Sequence, residues 1–151
     1  MEQHNILLRR QTEINLLLPL IQNLSAQFGA EKVLNNIRET IENLAFEDGK
    51  KLRKENEGKN HFLALGKQWE KLASNNSLTI EDFQVTETSL NLKVTRCKYA
   101  EYYKELNAES LGEVISCCRD EAFLKGFSNK IKMCRSKTIL EGNEICNFSY
   151  K

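Results

Sequence analysis

Little in this chain announces a function by itself. Among 151 residues there is one proline, Pro19, there are two histidines, His4 and His61, and no cysteine occurs before Cys97. Basic and acidic residues number 22 and 21, leaving a net charge of +1. A chain so balanced has no overall field to gather phosphate backbone or anionic lipid, so nucleic acid is not an expected partner. The longest apolar stretch, Leu16-Leu-Leu-Pro-Leu-Ile21, falls far short of the ~20 residues that a membrane-spanning helix needs. There is no Gly-rich phosphate loop, no Ser nucleophile elbow and no HExxH motif. Each histidine lacks a second ligand nearby, so His61 reads as a first-turn surface residue and His4 as a terminal one.

Two further absences bear on compartment. A secretory signal would place a basic segment ahead of an apolar one, and Glu2 and Glu13 interrupt that pattern. The cysteines number five, an odd count that includes the adjacent pair Cys117-Cys118, which argues for free thiols rather than a disulfide framework. A cytoplasmic protein is expected. Hydrophobic residues at 40% and charged residues at 28% give the balance of a globular chain, and the length suits a single domain over residues 1–151.

What is present divides near residue 76. Apolar positions at Leu7, Ile14, Leu17, Leu18, Ile21, Leu24 and Phe28 recur three and four apart, which predicts a helix over 6–28, kinked or divided near Leu18 by Pro19. A second helix from Glu31 carries Val33, Leu34, Ile37, Ile41, Leu44 and Ala45, then passes into a charged, glycine-punctuated run over 47–59 read as a solvated helix end and loop. Asn60 is placed to cap a third helix, with Phe62, Leu65, Trp69 and Leu72 on one side, and the Ser/Asn cluster at 74–77 stops it.

Beyond Ser77 the period falls to two. Phe83 and Val85, a turn at Thr88-Ser89, and then Leu90, Leu92 and Val94 read as a hairpin. Ile131 and Met133 lead into Arg135, and Cys146, Phe148 and Tyr150 form a closing strand, with Gly142-Asn143 at the turn between them. Short helices fill the interval: one over 99–106, and one opened by the capping-box pattern Ser110-Leu-Gly-Glu113. The architecture predicted is α+β, a helical layer (residues 1–76) on one face of an antiparallel sheet of about four strands (residues 77–151).

Continuing the alternation carries Arg96 beyond Leu92 and Val94, and Arg135 beyond Ile131 and Met133, onto the apolar faces. Two inward guanidinium groups require anionic partners, either protein carboxylates or a ligand carboxylate gripped in bidentate fashion. Alternatively both strands end first and the arginines reach solvent. The thiols admit three readings. A closed zinc site is poorly matched, since only Cys117-Cys118 approaches ligand spacing. Packing suits Cys118 and Cys134. A nucleophilic role suits Cys97 or Cys117, which have Arg96 and Asp120 close in sequence. Asp120 is either a proton acceptor or a helix cap, and Thr138 either a turn hydroxyl or a ligand contact.

The ordered set Val94-Thr-Arg-Cys-Lys-Tyr-Ala-Glu101, Leu111-Gly followed by Cys117 or Cys118 and Asp120, then Arg135, Thr138, Gly142, Cys146 and Phe148 resembles the L-2-amino-thiazoline-4-carboxylic acid hydrolase family. More distantly, the closing Gly-x-x-x-Cys-x-Phe is similar to the end of vinyl reductase-type small-molecule-binding domains. The first resemblance implies hydrolysis of a carbon–nitrogen bond in a small, carboxylated cyclic amidine, with no nucleotide cofactor; the cysteine spacing, separately, leads to the expectation of no metal. On that reading Arg96 and Arg135 meet the substrate carboxylate, Cys97 or Cys117 attacks or polarises the C=N carbon, Asp120 moves protons and Thr138 orients the substrate. Two other readings stand beside it: a binding domain that holds a small carboxylated or hydrophobic ligand without turnover, and a helical interaction module using residues 48–59. A homo-oligomer is compatible with any of them.

Overall fold

A computed structural model describes residues 6–151, so His4 lies outside the described residues. The first helix, α1 (Ile6–Phe28), runs undivided through Pro19. Proline removes one backbone donor, but both Pro19 and Asn15, whose carbonyl loses its partner, are exposed, so water can satisfy that carbonyl. Gly29, at φ 90°, turns the chain into α2 (Ala30–Glu55).

The charged run predicted to leave the helix near Glu47 remains helical to Glu55. Only one of its faces is solvated: Lys50 and Lys51 reach back to Glu47 and Asp48 at 3.0 and 2.9 Å, while Gly49 is buried and Leu52 packs on the core. Asn60 caps α3 (His61–Leu72) as expected, its Oδ1 accepting from the Leu63 amide at 3.1 Å. His61 packs its ring against Phe127 at 4.9 Å between centroids.

Strands β1 (Leu78–Val85) and β2 (Leu90–Cys97) form the predicted hairpin. The chain then passes through α4 (Lys98–Glu105), α5 (Glu109–Gly112), a π-helical turn over Glu113–Cys117 and α6 (Arg119–Phe127). Strands β3 (Met133–Cys134) and β4 (Cys146–Tyr150) complete an antiparallel sheet in the order β1-β2-β4-β3. The capping box expected at Ser110–Glu113 does not form, because the helix opens one residue earlier at Glu109 and Ser110 lies within its first turn.

The helices cover one face of the sheet, as predicted. Leu90, Leu92 and Val94 of β2 and Phe148 and Tyr150 of β4 pack against Ala64, Leu65 and Trp69 of α3 and Leu124 and Phe127 of α6. The opposite face carries Lys93 in solvent. A second apolar cluster, built from Ile14 and Ile21 of α1 with Tyr103, Leu111 and Ile115, lies under the α1–α2 hairpin.

Helix α2 crosses α6 at close backbone approach through two glycines. A Cβ on Gly49 would lie 2.1 Å from the Phe123 carbonyl oxygen, and one on Gly126 would lie 2.0 Å from that of Phe46. The obstacle on each side is backbone, which cannot rotate away. Alanine favours a helix over glycine by about 1 kcal/mol, but overpacking costs typically about 1–3 kcal/mol and here has no flexible neighbour to absorb it. Gly49→Ala and Gly126→Ala are therefore each expected to lower the urea midpoint of unfolding, and an unchanged or raised midpoint would refute this account of the crossing.

Candidate functional site

Three segments cross from one apolar cluster to the other. Residues 94–103 leave the sheet core at Val94 and enter the second cluster at Tyr103; residues 115–124 run from Ile115 to Leu124; residues 140–148 run from Leu140 to Phe148. At these crossings the chain places Cys97, then Cys117, Arg119 and Asp120, then Cys146. Polar and sulfur side chains thus gather along a seam at the border of the sheet core, against which Cys97 and Cys146 pack. A π-helical turn, a feature frequent at functional sites, delivers Cys117 to it.

An ion pair organises the seam. Arg135 Nη1 donates to Asp120 Oδ2 at 2.5 Å and to the Cys117 carbonyl at 3.3 Å, and its guanidinium lies 5.5 Å from the centre of the Phe148 ring. The two side chains are 17% and 26% exposed, so the pair is shielded without being sealed. Asp120 is in the first turn of α6 and caps nothing. Burial raises its carboxyl to about 6, against the lowering effect of the Arg135 and Arg119 guanidinium groups.

Arg96 does not share this site, contrary to the expectation that it points inward. In the β1–β2 ladder Ile80 faces Val94 while Thr79 faces Arg96, so Thr95 is an extra residue on β2. Such a bulge shifts the parity of the strand. Arg96 turns outward, 59% exposed, and pairs with Glu101 at 2.6 Å, while Cys97 turns inward.

The sulfur atoms are held as thiols. Burial is the largest effect on each of Cys97, Cys117, Cys118 and Cys146, raising Cys97 and Cys118 to about 11 and Cys117 further. The Asp120 carboxylate adds to the rise at all four. Cys97 Sγ also caps α4, accepting from the Ala100 amide at 3.4 Å. Cys118 is packed as expected, but Cys134 is exposed: β3 is the edge of the sheet and Cys134 lies on its open side.

Thr138 is a buried turn hydroxyl, bonded to Glu141 Oε2 at 2.7 Å and accepting from the Glu141 amide. Arg119 was not predicted for the site, and Cys146 and Tyr150 were read from the sequence as strand residues without a role there. Tyr150 lies at the end of β4, where Trp69 Nε1 donates to its hydroxyl at 3.2 Å, and burial followed by Asp120 raises its phenol. The alternation of Cys146, Phe148 and Tyr150 on one strand face was the available signal.

A family model described as L-2-amino-thiazoline-4-carboxylic acid hydrolase matches residues 9–150. The chain belongs to that family. The match takes in both apolar clusters and every residue of the seam, and the family's name is that of a hydrolase. None of the curated proteins compared matches the chain significantly.

Within this family member, Cys117 and Arg135 also line a surface groove of about 390 Å³, between α2 and the π-helical turn, with Arg38, Glu42, Phe46 and Cys118. Asp120 and Arg119 do not line this groove. Among the described residues no cluster of three or more His, Cys, Asp or Glu side chains is placed to hold a metal ion.

Thiol reactivity tests the electrostatics. Because only the thiolate attacks a disulfide reagent, the native protein near neutral pH should show one fast-reacting thiol, that of exposed Cys134, and slow reaction at the rest. Cys134→Ser should remove the fast phase. A fast phase that persists in that variant would show an activated thiol in the seam.

Proposed function

We propose that the protein hydrolyses a carbon–nitrogen bond of a small cyclic amidine or thiazoline that carries a carboxylate. The observation that carries this reading is Asp120, a shielded carboxylate raised to about 6 and fixed by Arg135 beside Cys117. A base with a pKa near the operating pH combines the correct ionisation with a useful affinity for a proton. Arg135 bonds only the Oδ2 atom of Asp120, and Oδ1 has no hydrogen bond among the described residues.

In this scheme Asp120 takes a proton from water as the water oxygen bonds to the C=N carbon of the substrate. The π pair of the C=N bond moves onto nitrogen, which takes that proton from Asp120. As the tetrahedral carbon collapses to a carbonyl, its hydroxyl gives a second proton to Asp120, the remaining carbon–nitrogen bond breaks with its electron pair on nitrogen, and Asp120 passes the second proton there. Cys117, protonated, polarises the C=N group through its S–H and does not attack it. Arg135 holds Asp120 through Nη1, and its Nε and Nη2 edge, free of hydrogen bonds among the described residues, meets negative charge that develops on the substrate.

The test pairs product analysis with ligand binding. Carboxylated thiazolines and related cyclic amidines are incubated with the protein, and a product heavier by one water is sought by mass spectrometry. Asp120→Asn should lower kcat/KM by about 10²–10⁴. For the wild type, kcat/KM should rise with pH through about 6, because the base works only after losing its proton. Arg135→Gln removes the charge that lowers Asp120, so that limb should move to higher pH. Undiminished turnover in Asp120→Asn would refute the scheme, and ligands that raise the melting temperature without any product would favour a binding domain.

A further inference from the structure

Hydrolysis of a carboxylated substrate requires a cation to receive that carboxylate, and the identity of this cation rests on the proposed hydrolase activity. Four arginines are half-buried: Arg10, Arg38, Arg119 and Arg135. Three of them hold a carboxylate, Arg10 with Glu13 at 2.5 Å, Arg38 with Glu113 at 3.0 Å and Arg135 with Asp120 at 2.5 Å. Among the described residues Arg119 has no carboxylate within ion-pair distance. Its single hydrogen bond runs from Nε to the Ile115 carbonyl at 2.8 Å, which leaves the Nη1 and Nη2 donors open.

That arrangement is costly for the protein alone. A guanidinium partly withdrawn from water without an anion loses solvation that one carbonyl does not fully replace. Burial destabilises the charged form of Arg119, and the nearby Arg10 guanidinium adds to the effect. Glu13, the carboxylate that compensates Arg119 most, already bonds both Arg9 and Arg10. Asp48 offsets the charge of Arg119 more weakly than Glu13 does, and Arg119 lies near enough to Asp120 to lower its carboxyl.

We propose that Arg119 is the residue that binds the carboxylate of the substrate, through its open Nη1 and Nη2 edge, with Arg10 reinforcing the positive field. The assignment falls on a side chain already in the seam, and Arg96, outward and paired with Glu101, has no part in it. An anion at Arg119 relieves the Arg10–Arg119 repulsion and lies on the side of α6 from which Arg119 acts on Asp120. Substrate binding thus supplies the missing half of an ion pair.

The experiment compares a carboxylated thiazoline with the same heterocycle lacking the carboxylate, in wild type, Arg119→Gln and Arg119→Lys. In Arg119→Gln, KM for the carboxylated compound should rise about tenfold to a hundredfold, as expected for loss of a charge-assisted hydrogen bond, while KM for the other compound stays within about twofold. Arg119→Lys, which keeps the charge without the fork, should recover part of the preference and serves as a second reading should the glutamine variant fold poorly. An equal preference in wild type and both variants overturns the assignment while leaving the hydrolase reading intact. Where the wild type turns over neither compound, the comparison is made by titration calorimetry: a carboxylate preference abolished in Arg119→Gln sustains Arg119 and removes the hydrolase reading, and no preference in the wild type removes both.

Discussion

The ion pair between Arg135 and Asp120 is the constraint on which the arrangement of the seam depends. It ties the end of β3, at the edge of the sheet, to the first turn of α6, elements that are otherwise separated by a loop. Both groups are shielded enough that neither is comfortable alone, and each reduces the cost of burying the other. Because the same Arg135 Nη1 also bonds the Cys117 carbonyl, the pair fixes the last residue of the π-helical turn as well as the carboxylate. One guanidinium group thereby holds the Cys117 backbone and the Asp120 carboxylate together.

That constraint works only because the scaffold holds α6 in place. The glycine crossing sets α2 against α6 at backbone contact, and Leu124 and Phe127 anchor the other side of α6 to the sheet. Between those anchors and Ile115 in the second cluster, the chain has to traverse a region that neither apolar layer fills. Arg119 and Asp120, which lie on that traverse, are polar and partly buried, which is unfavourable for stability taken alone. A proposed site at this position is consistent with the common trade in which a fold tolerates local cost where function requires polar groups.

Most of the architecture was legible in the spacing of apolar residues. The change of period at Ser77 marks the passage from helices to hairpin, and Asn60 occupies the cap its sequence context suggests. What alternation could not reveal was the extra residue at Thr95, because a bulge leaves no mark in composition yet reverses every side chain beyond it. The inward Arg96 was lost, and the inward Cys97 gained, by that single shift. The charged run after Glu47 misled for a different reason: Gly49 reads as a breaker in sequence but is required by the close approach of α6. Arg135 and Asp120 were individually visible, whereas their pairing, and the lack of such a pairing at Arg119, belong to tertiary structure.

The abundance of sulfur in the last third invites a cysteine mechanism, and the magnitudes argue against it. To act as a nucleophile near neutral pH a thiol needs a cation or helix terminus that outweighs the cost of burying its thiolate. Arg135 does lower the pKa of Cys117, but burial and the neighbouring Asp120 carboxylate exceed it, and the net direction is upward. The cation that lowers Cys117 is already committed to a carboxylate. The same balance leaves Asp120 far nearer neutrality, at about 6. Of the groups in the seam it is the carboxylate, and not the thiols, whose proton affinity matches the transfer that hydrolysis demands, so the thiols are better suited to shaping and polarising a site than to forming a bond within it.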